Sequence, residues 1–218
     1  MPTAAEPGFL RRNRGIIVFL LLMVVFRSSF ADWNTVPSGS MQPTIVEGDR
    51  ILIDKLAFDL NVPLVHKSLV HFGDPERGDV VVFDSVAANT RLVKRVMGLP
   101  GDVIQMTDNH LVINGTPAAY AGAHETRLGL VATESIAGIT HDVLLNPRRP
   151  SPLANFGPVT VPAGHYLMLG DARDNSSDSR VYGFVPRDEI AGRTRSVVVS
   201  FNYDNYYLPR SDRFFHKL

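Results

Sequence analysis

Hydrophobic positions along the chain follow two regimes. Near the N-terminus, Gly15 to Phe26 is an unbroken apolar run of 12 residues, preceded by Arg11, Arg12 and Arg14 and interrupted by Arg27. Counted through Ala31 the run reaches 17 residues with one arginine, against the roughly 20 that a membrane-crossing helix wants. Arg27 can snorkel toward an interface, and Trp33 stands where an interfacial aromatic belongs. Small residues at Ser29 and Ala31 equally suit the end of a cleavable export signal. Both readings predict one topology, with the arginines cytoplasmic and everything after residue 32 across the membrane.

From residue 36 onward the pattern shifts to short, β-branched runs: Ile51-Leu52-Ile53, Val80-Val81-Val82-Phe83, Leu92-Val93 with Val96-Met97, Leu111-Val112-Ile113 and Val197-Val198-Val199. Turn signals divide them at Glu47-Gly48-Asp49, Arg77-Gly78-Asp79, Pro100-Gly101-Asp102, Asn114-Gly115 and Pro162-Ala163-Gly164. Asn114-Gly115, between Ile113 and Thr116, is the strongest hairpin signal. This spacing predicts an all-β sandwich or barrel. Pro117 to Pro162, rich in Ala, Gly, Pro and polar residues, reads as a loop-rich insertion.

Composition removes several function classes. Twenty-two basic residues balance 22 acidic ones, so no strong field gathers nucleic acid, and no nucleic-acid motif is present. With no cysteine, thiolate metal sites and cysteine nucleophiles are excluded. The seven histidines form no metal-ligand spacing. A Ser-His-Asp triad stays open in space but has no signature.

Three segments carry candidate chemistry. Pro37-Ser38-Gly39-Ser40-Met41 presents a serine after a glycine but lacks the Gly-x-Ser-x-Gly pattern, and Ser-x-x-Lys is absent from the chain. A serine there needs a base and an oxyanion hole, and such a stretch also suits a plain linker. Lysine is scarce, and two lysines fall in apolar surroundings. On a strand, Lys94 shares a face with Leu92 and Val96, and Lys55 shares one with Ile51 and Ile53. Desolvation there lowers an ammonium pKa and frees the amine to act as a base. Strand parity does not choose between the two. The third segment, Gly170 to Arg180, packs three aspartates and two arginines behind the apolar Tyr166-Leu167-Met168-Leu169. It suits a self-satisfied loop of ion pairs, a support for a catalytic site or, less well given its arginines, a calcium loop.

Taken together, these segments resemble the bacterial type I signal peptidases, membrane-anchored Ser-Lys peptidases. The resemblance rests on Pro37-Ser38-Gly39-Ser40-Met41-x-Pro43-Thr44, Arg77-Gly78-Asp79-Val80-Val81-Val82-Phe83, Lys94-Arg95-Val96-x-Gly98-Leu99-Pro100-Gly101-Asp102 and Gly170-Asp171-x-Arg173-Asp174-Asn175-Ser176-x-Asp178-Ser179-Arg180. Ala172 departs from the family's usual asparagine. The resemblance implies Ser40 as nucleophile, Lys94 as general base, Ser38 as an oxyanion donor and Ser176 as a hydrogen-bond partner orienting Lys94. Asp171 would pair with Arg95, and Asp178 with Arg180, bracing the site. Val36, Pro37, Met41, Ile45 and Val93 would line pockets for small residues at −1 and −3 of an exported preprotein. No metal or cofactor is implied.

The implied fold is an antiparallel β catalytic domain over residues 33–218, with a smaller β/loop insertion at 117–162. A transmembrane signal-anchor at 15–32 and a short cytoplasmic segment at 1–14 precede it, placing the catalytic domain on the outer face of the bacterial inner membrane. The expected partners are signal-peptide-bearing preproteins and membrane lipid. A specialised peptidase with one dedicated substrate, and a non-enzymatic tethered β domain, are the competing readings.

Overall fold

A computed structural model describes residues 9–62, 68–203 and 205–218. Its main sheet is antiparallel and built from β1 (Ala31–Thr35), β2 (Asp49–Asp54), β3 (Val80–Ser85) and β4 (Thr90–Gly98), joined by two later strands. A second sheet contains β5 (Val103–Thr107) and β6 (His110–Ile113), and a third is formed by β7 (Ala119–Glu125), β8 (Leu130–Ile136) and β9 (Ile139–Leu145). β10 (Phe156–Thr160) returns to pair with β5. The last long strands, β11 (His165–Leu169) and β12 (Ile190–Asn202), give the main sheet the order β1-β2-β12-β3-β4-β11, to which short strands at Val185–Pro186, beside β11, and at Leu208–Pro209 and His216–Lys217, beside β12, are added.

The apolar patterning explains this order. Val80 to Phe83 is a continuous apolar run because β3 is central and buried on both faces. Val80 and Val82 pack with Val36, Met41, Ile45, Ile51, Ile53 and Val197, while Val81 and Phe83 pack with Phe58, Val96, Tyr166, Met168 and Ile190. β2 alternates buried and exposed residues, as expected of a strand with one face in the core. The Asn114-Gly115 hairpin forms as predicted: both residues have positive φ, and Ile113 pairs with Thr116.

The reading of 117–162 as loop-rich is corrected. That stretch holds the three-stranded sheet β7-β8-β9 together with β10. Its central hairpin turns through Ala137-Gly138, both at positive φ, a weaker signal than Asn-Gly. Its edge strand Ala119–Glu125 is rich in Ala and mostly exposed, so local propensity marks it poorly.

The N-terminal apolar run is a helix over Arg14–Ser29, joined through Asn13 to a single turn at Phe9–Arg12. This is shorter than the expected span of 15–32, because β1 already begins at Ala31. Among the described residues no helix is long and apolar enough to cross a membrane. Residues 1–8 of the expected cytoplasmic segment lie outside the described residues.

Lys55 closes the end of this helix. Its buried ammonium donates to the carbonyls of Arg27, at 2.7 Å, and Ser28, at 3.2 Å, in the last turn of the helix. Burial lowers its pKa, and Asp32, 4.0 Å away, opposes that shift. The parity that made Lys55 and Lys94 equivalent is therefore broken by tertiary position.

Candidate active site

The segment Val36–Ile45 is pinned from below. Val36 pairs by its backbone with Asp49 and Gly48, and Met41 and Ile45 are closed into the core. Between these anchors Ser38 is extended and Gly39–Met41 makes one tight turn, leaving Ser40 half-buried at its apex. β4 delivers Lys94 opposite Val81, with only 2% of its surface exposed. Lys94 Nζ lies 2.8 Å from Ser40 Oγ and 3.0 Å from the Val93 carbonyl. Burial lowers the Lys94 pKa from 10.5 to about 8, against the pull of Asp178 and Asp171 toward the charged form. A neutral amine hydrogen-bonded to a hydroxyl is thus accessible near neutral pH. The Ser38 hydroxyl lies 3.5 Å from Ser40 Oγ.

The polar loop after β11 closes the other side. Asp171 receives Arg95 Nε at 2.9 Å and Nη2 at 2.7 Å, and the Thr44 hydroxyl at 2.6 Å. It thereby ties the strand of Lys94 to the segment of Ser40. Asp178 accepts from the Gly170 amide at 3.0 Å and from the Arg180 guanidinium at 2.9 and 2.8 Å. Burial would raise both carboxyls, yet their arginines hold them below the ordinary range.

Two expectations are corrected by this geometry. Ser176 does not bond Lys94: its buried hydroxyl favours the Asp178 charge but makes no regular hydrogen bond. Among the expected pocket residues, Pro37 is exposed and Val93 half-buried, whereas Val36, Met41 and Ile45 are core residues with almost no free surface. They belong beneath the site because their apolar side chains are what fix the turn.

The family assignment rests on the whole stretch that carries this geometry. Residues 11–199 match the family described as signal peptidase, peptidase S26. The chain belongs to the S26 signal peptidases. Signal peptidase I of Pseudomonas fluorescens is 36% identical over 212 residues, covering 90% of this chain and 74% of that protein. Signal peptidase I of Bacillus licheniformis is 32% identical over 190 residues, covering 87% and 88%. A solved signal peptidase I from Enterococcus faecalis is 26% identical and covers 56% of this chain and 97% of that one, with a TM-score of 0.37. As a signal peptidase, the protein is a serine endopeptidase that removes signal peptides from preproteins.

Sequence reasoning missed two features of this S26 peptidase. At Gly170 a Cβ would sit 2.2 Å from Ser176 Oγ and 2.5 Å from the Ser40 carbonyl oxygen, so only glycine lets the loop close on the nucleophile segment. The inserted sheet reaches the same loop: Leu144 donates its amide to the Asp171 carbonyl, and Glu134 pairs with the buried Arg173 at 2.7 and 2.8 Å. No local signal announces either contact, since each joins distant segments. A Ser-His pair is absent at the buried His141, because neither of its ring nitrogens is hydrogen-bonded.

Proposed function

We propose that cleavage runs through a Ser40–Lys94 dyad. The observation that carries this reading is the 2.8 Å contact between Ser40 Oγ and a buried Lys94 whose pKa is lowered to about 8. Neutral Lys94 accepts the Ser40 proton as Oγ bonds to the scissile carbonyl carbon. The oxyanion is taken up by the Ser40 amide and the Ser38 hydroxyl, each donor contributing roughly 2.7–4 kcal/mol. The Lys94 ammonium returns its proton to the leaving amine as the peptide bond breaks, and water, deprotonated by the same lysine, hydrolyses the acyl-enzyme. Arg95–Asp171 and Asp178–Arg180 hold the two halves of the site in register, and Ser176, packed on Gly170 beside Ser40, supports that arrangement.

Preference for small residues at −1 and −3 follows from the floor of the site. Val36, Met41 and Ile45 form a closed core with Val93 packed against it, and in this reading that closed floor admits only small side chains. The Arg14–Ser29 helix is the membrane anchor in this reading. Its side chains from Phe19 to Leu22 are each more than half exposed, on every side of the helix, which suits lipid rather than water. Arg11, Arg12 and Arg14 keep its start cytoplasmic and set the catalytic domain on the outer face of a bacterial inner membrane.

The test is to incubate the full chain in detergent with a preprotein and map the cut. Ser40→Ala is expected to fold and lose cleavage by at least a thousandfold. Substantial activity in a folded variant refutes the serine nucleophile.

A further inference from the structure

His141 is a buried titratable side chain that the cleavage chemistry leaves without a role. It lies on β9 opposite Glu134 of β8, so it belongs to the inserted sheet, yet its side chain is only 6% exposed because it points into the site loop. Its Nε2 faces two carboxylates, at 3.5 Å from Glu134 Oε1 and 3.8 Å from Asp171 Oδ1. Each carboxylate already carries a two-pronged arginine, Arg173 on Glu134 and Arg95 on Asp171. Tyr120 adds a hydroxyl to Glu134 at 2.5 Å, and Thr44 adds one to Asp171 at 2.6 Å. The imidazole touches both clusters, and neither nitrogen has a regular hydrogen bond.

A filler residue would not carry that cost, since leaving a buried polar group unpaired is more expensive than burying an apolar one of the same shape. Burial keeps the ring neutral, with its pKa lowered from 6.5 to about 4, so at neutral pH it offers a single N–H. With Nε2 the atom facing both carboxylates, that proton reaches either one after a shift of less than an ångström.

We propose that His141 is a positioning residue of the active site. Its N–H is shared between Asp171 and Glu134, and this keeps the Arg95–Asp171 pair seated between Lys94 and the Ser40 segment. The inserted sheet then acts as a brace for the dyad through one side chain. This inference rests on the Ser40–Lys94 reading.

The experiment measures kcat and KM of the full chain in detergent on one preprotein, for His141→Leu, His141→Gln and Lys94→Met. His141→Leu fills the volume without a donor and is expected to fold, with kcat lowered about tenfold, or about 1.4 kcal/mol, and KM within twofold. His141→Gln restores a donor and is expected to lie within threefold of wild type. Wild-type kcat in the folded leucine variant overturns the proposal, as does a glutamine variant equally slow or a loss confined to KM. Should His141→Leu fail to fold, His141→Gln is compared with His141→Asn, whose donor is one methylene short, and equal kcat for those two overturns it. An active Lys94→Met variant refutes the dyad reading itself, whatever the histidine variants do.

Discussion

Replacing Lys94 by methionine separates what the lysine does for chemistry from what it costs the fold. The side chain is 2% exposed, and burial takes its pKa from 10.5 in the unfolded chain to about 8 in the native one. Between those values the unfolded chain holds the proton and the native state does not, so stability rises with pH across that window. Below about pH 8 both states are protonated and the native state bears the whole burden. At roughly 1.36 kcal/mol per pH unit, the separation corresponds to about 3 kcal/mol at pH 7. Methionine removes that burden but also removes the hydrogen bond to Ser40, worth about 1 kcal/mol. The Lys94→Met chain is therefore expected to be inactive yet about 2 kcal/mol more stable than wild type at pH 7. That margin should shrink as pH is raised from 8 to 10. Urea titration in detergent micelles at pH 7, 8, 9 and 10, followed by near-ultraviolet circular dichroism, reads both quantities. A folded variant no more stable than wild type at pH 7, or a margin unchanged by pH 10, refutes the picture of Lys94 as a desolvated base.

Three further substitutions probe the rest of the site. Ser38→Ala should lower kcat roughly a hundredfold, the effect of one oxyanion donor, and a loss under threefold on a preprotein assay removes Ser38 from that role. Gly170→Ala should destabilise by about 1–3 kcal/mol and cut activity at least tenfold. Adding Ser176→Ala removes the Oγ clash but leaves the Ser40 carbonyl oxygen and the residue 176 Cβ, at 2.5 and 2.6 Å, so a double variant with wild-type activity and melting temperature contradicts the close packing around Gly170. Lys55→Met should cleave a soluble peptide within threefold of wild type while handling a vesicle-embedded preprotein poorly, and an equal loss on both substrates excludes a role confined to the helix junction.

What could be read from the chain depended on how local the determining interaction is. Asn114-Gly115 selects its turn through the conformations of two adjacent residues, and Val80 to Phe83 announces a central strand by lacking polar positions. The residues around Ser40 and Lys94 were legible as a set, through the resemblance of whole segments. Strand parity alone left Lys55 and Lys94 equivalent, so the pairing of Lys94 with Ser40 across 54 positions was implied only by that resemblance. Packing is what places Lys55 at a helix end and Lys94 beside the serine. Met41 and Ile45 illustrate the same limit: proximity to Ser40 in sequence suggested contact with substrate, whereas the tight turn directs both side chains inward. The inserted sheet escaped because an Ala-rich edge strand and an Ala-Gly turn carry little intrinsic preference. Its stability comes from neighbours such as Arg173 that arrive from elsewhere in the chain.

The passage from helix to sheet sets a distance. The helix ends at Ser29 and β1 starts at Ala31, with Phe30 alone between them, and Lys55 clasps the final carbonyls from the next strand's end. A catalytic domain attached this way has no leash. With the helix in the bilayer, the height of Ser40 above the lipid is set by the body of the protein. A substrate whose own apolar segment lies in the same bilayer then meets the nucleophile at a fixed elevation. Under the proposed anchoring the junction works as a ruler, so that the depth at which a preprotein emerges helps to decide which of its bonds is within reach.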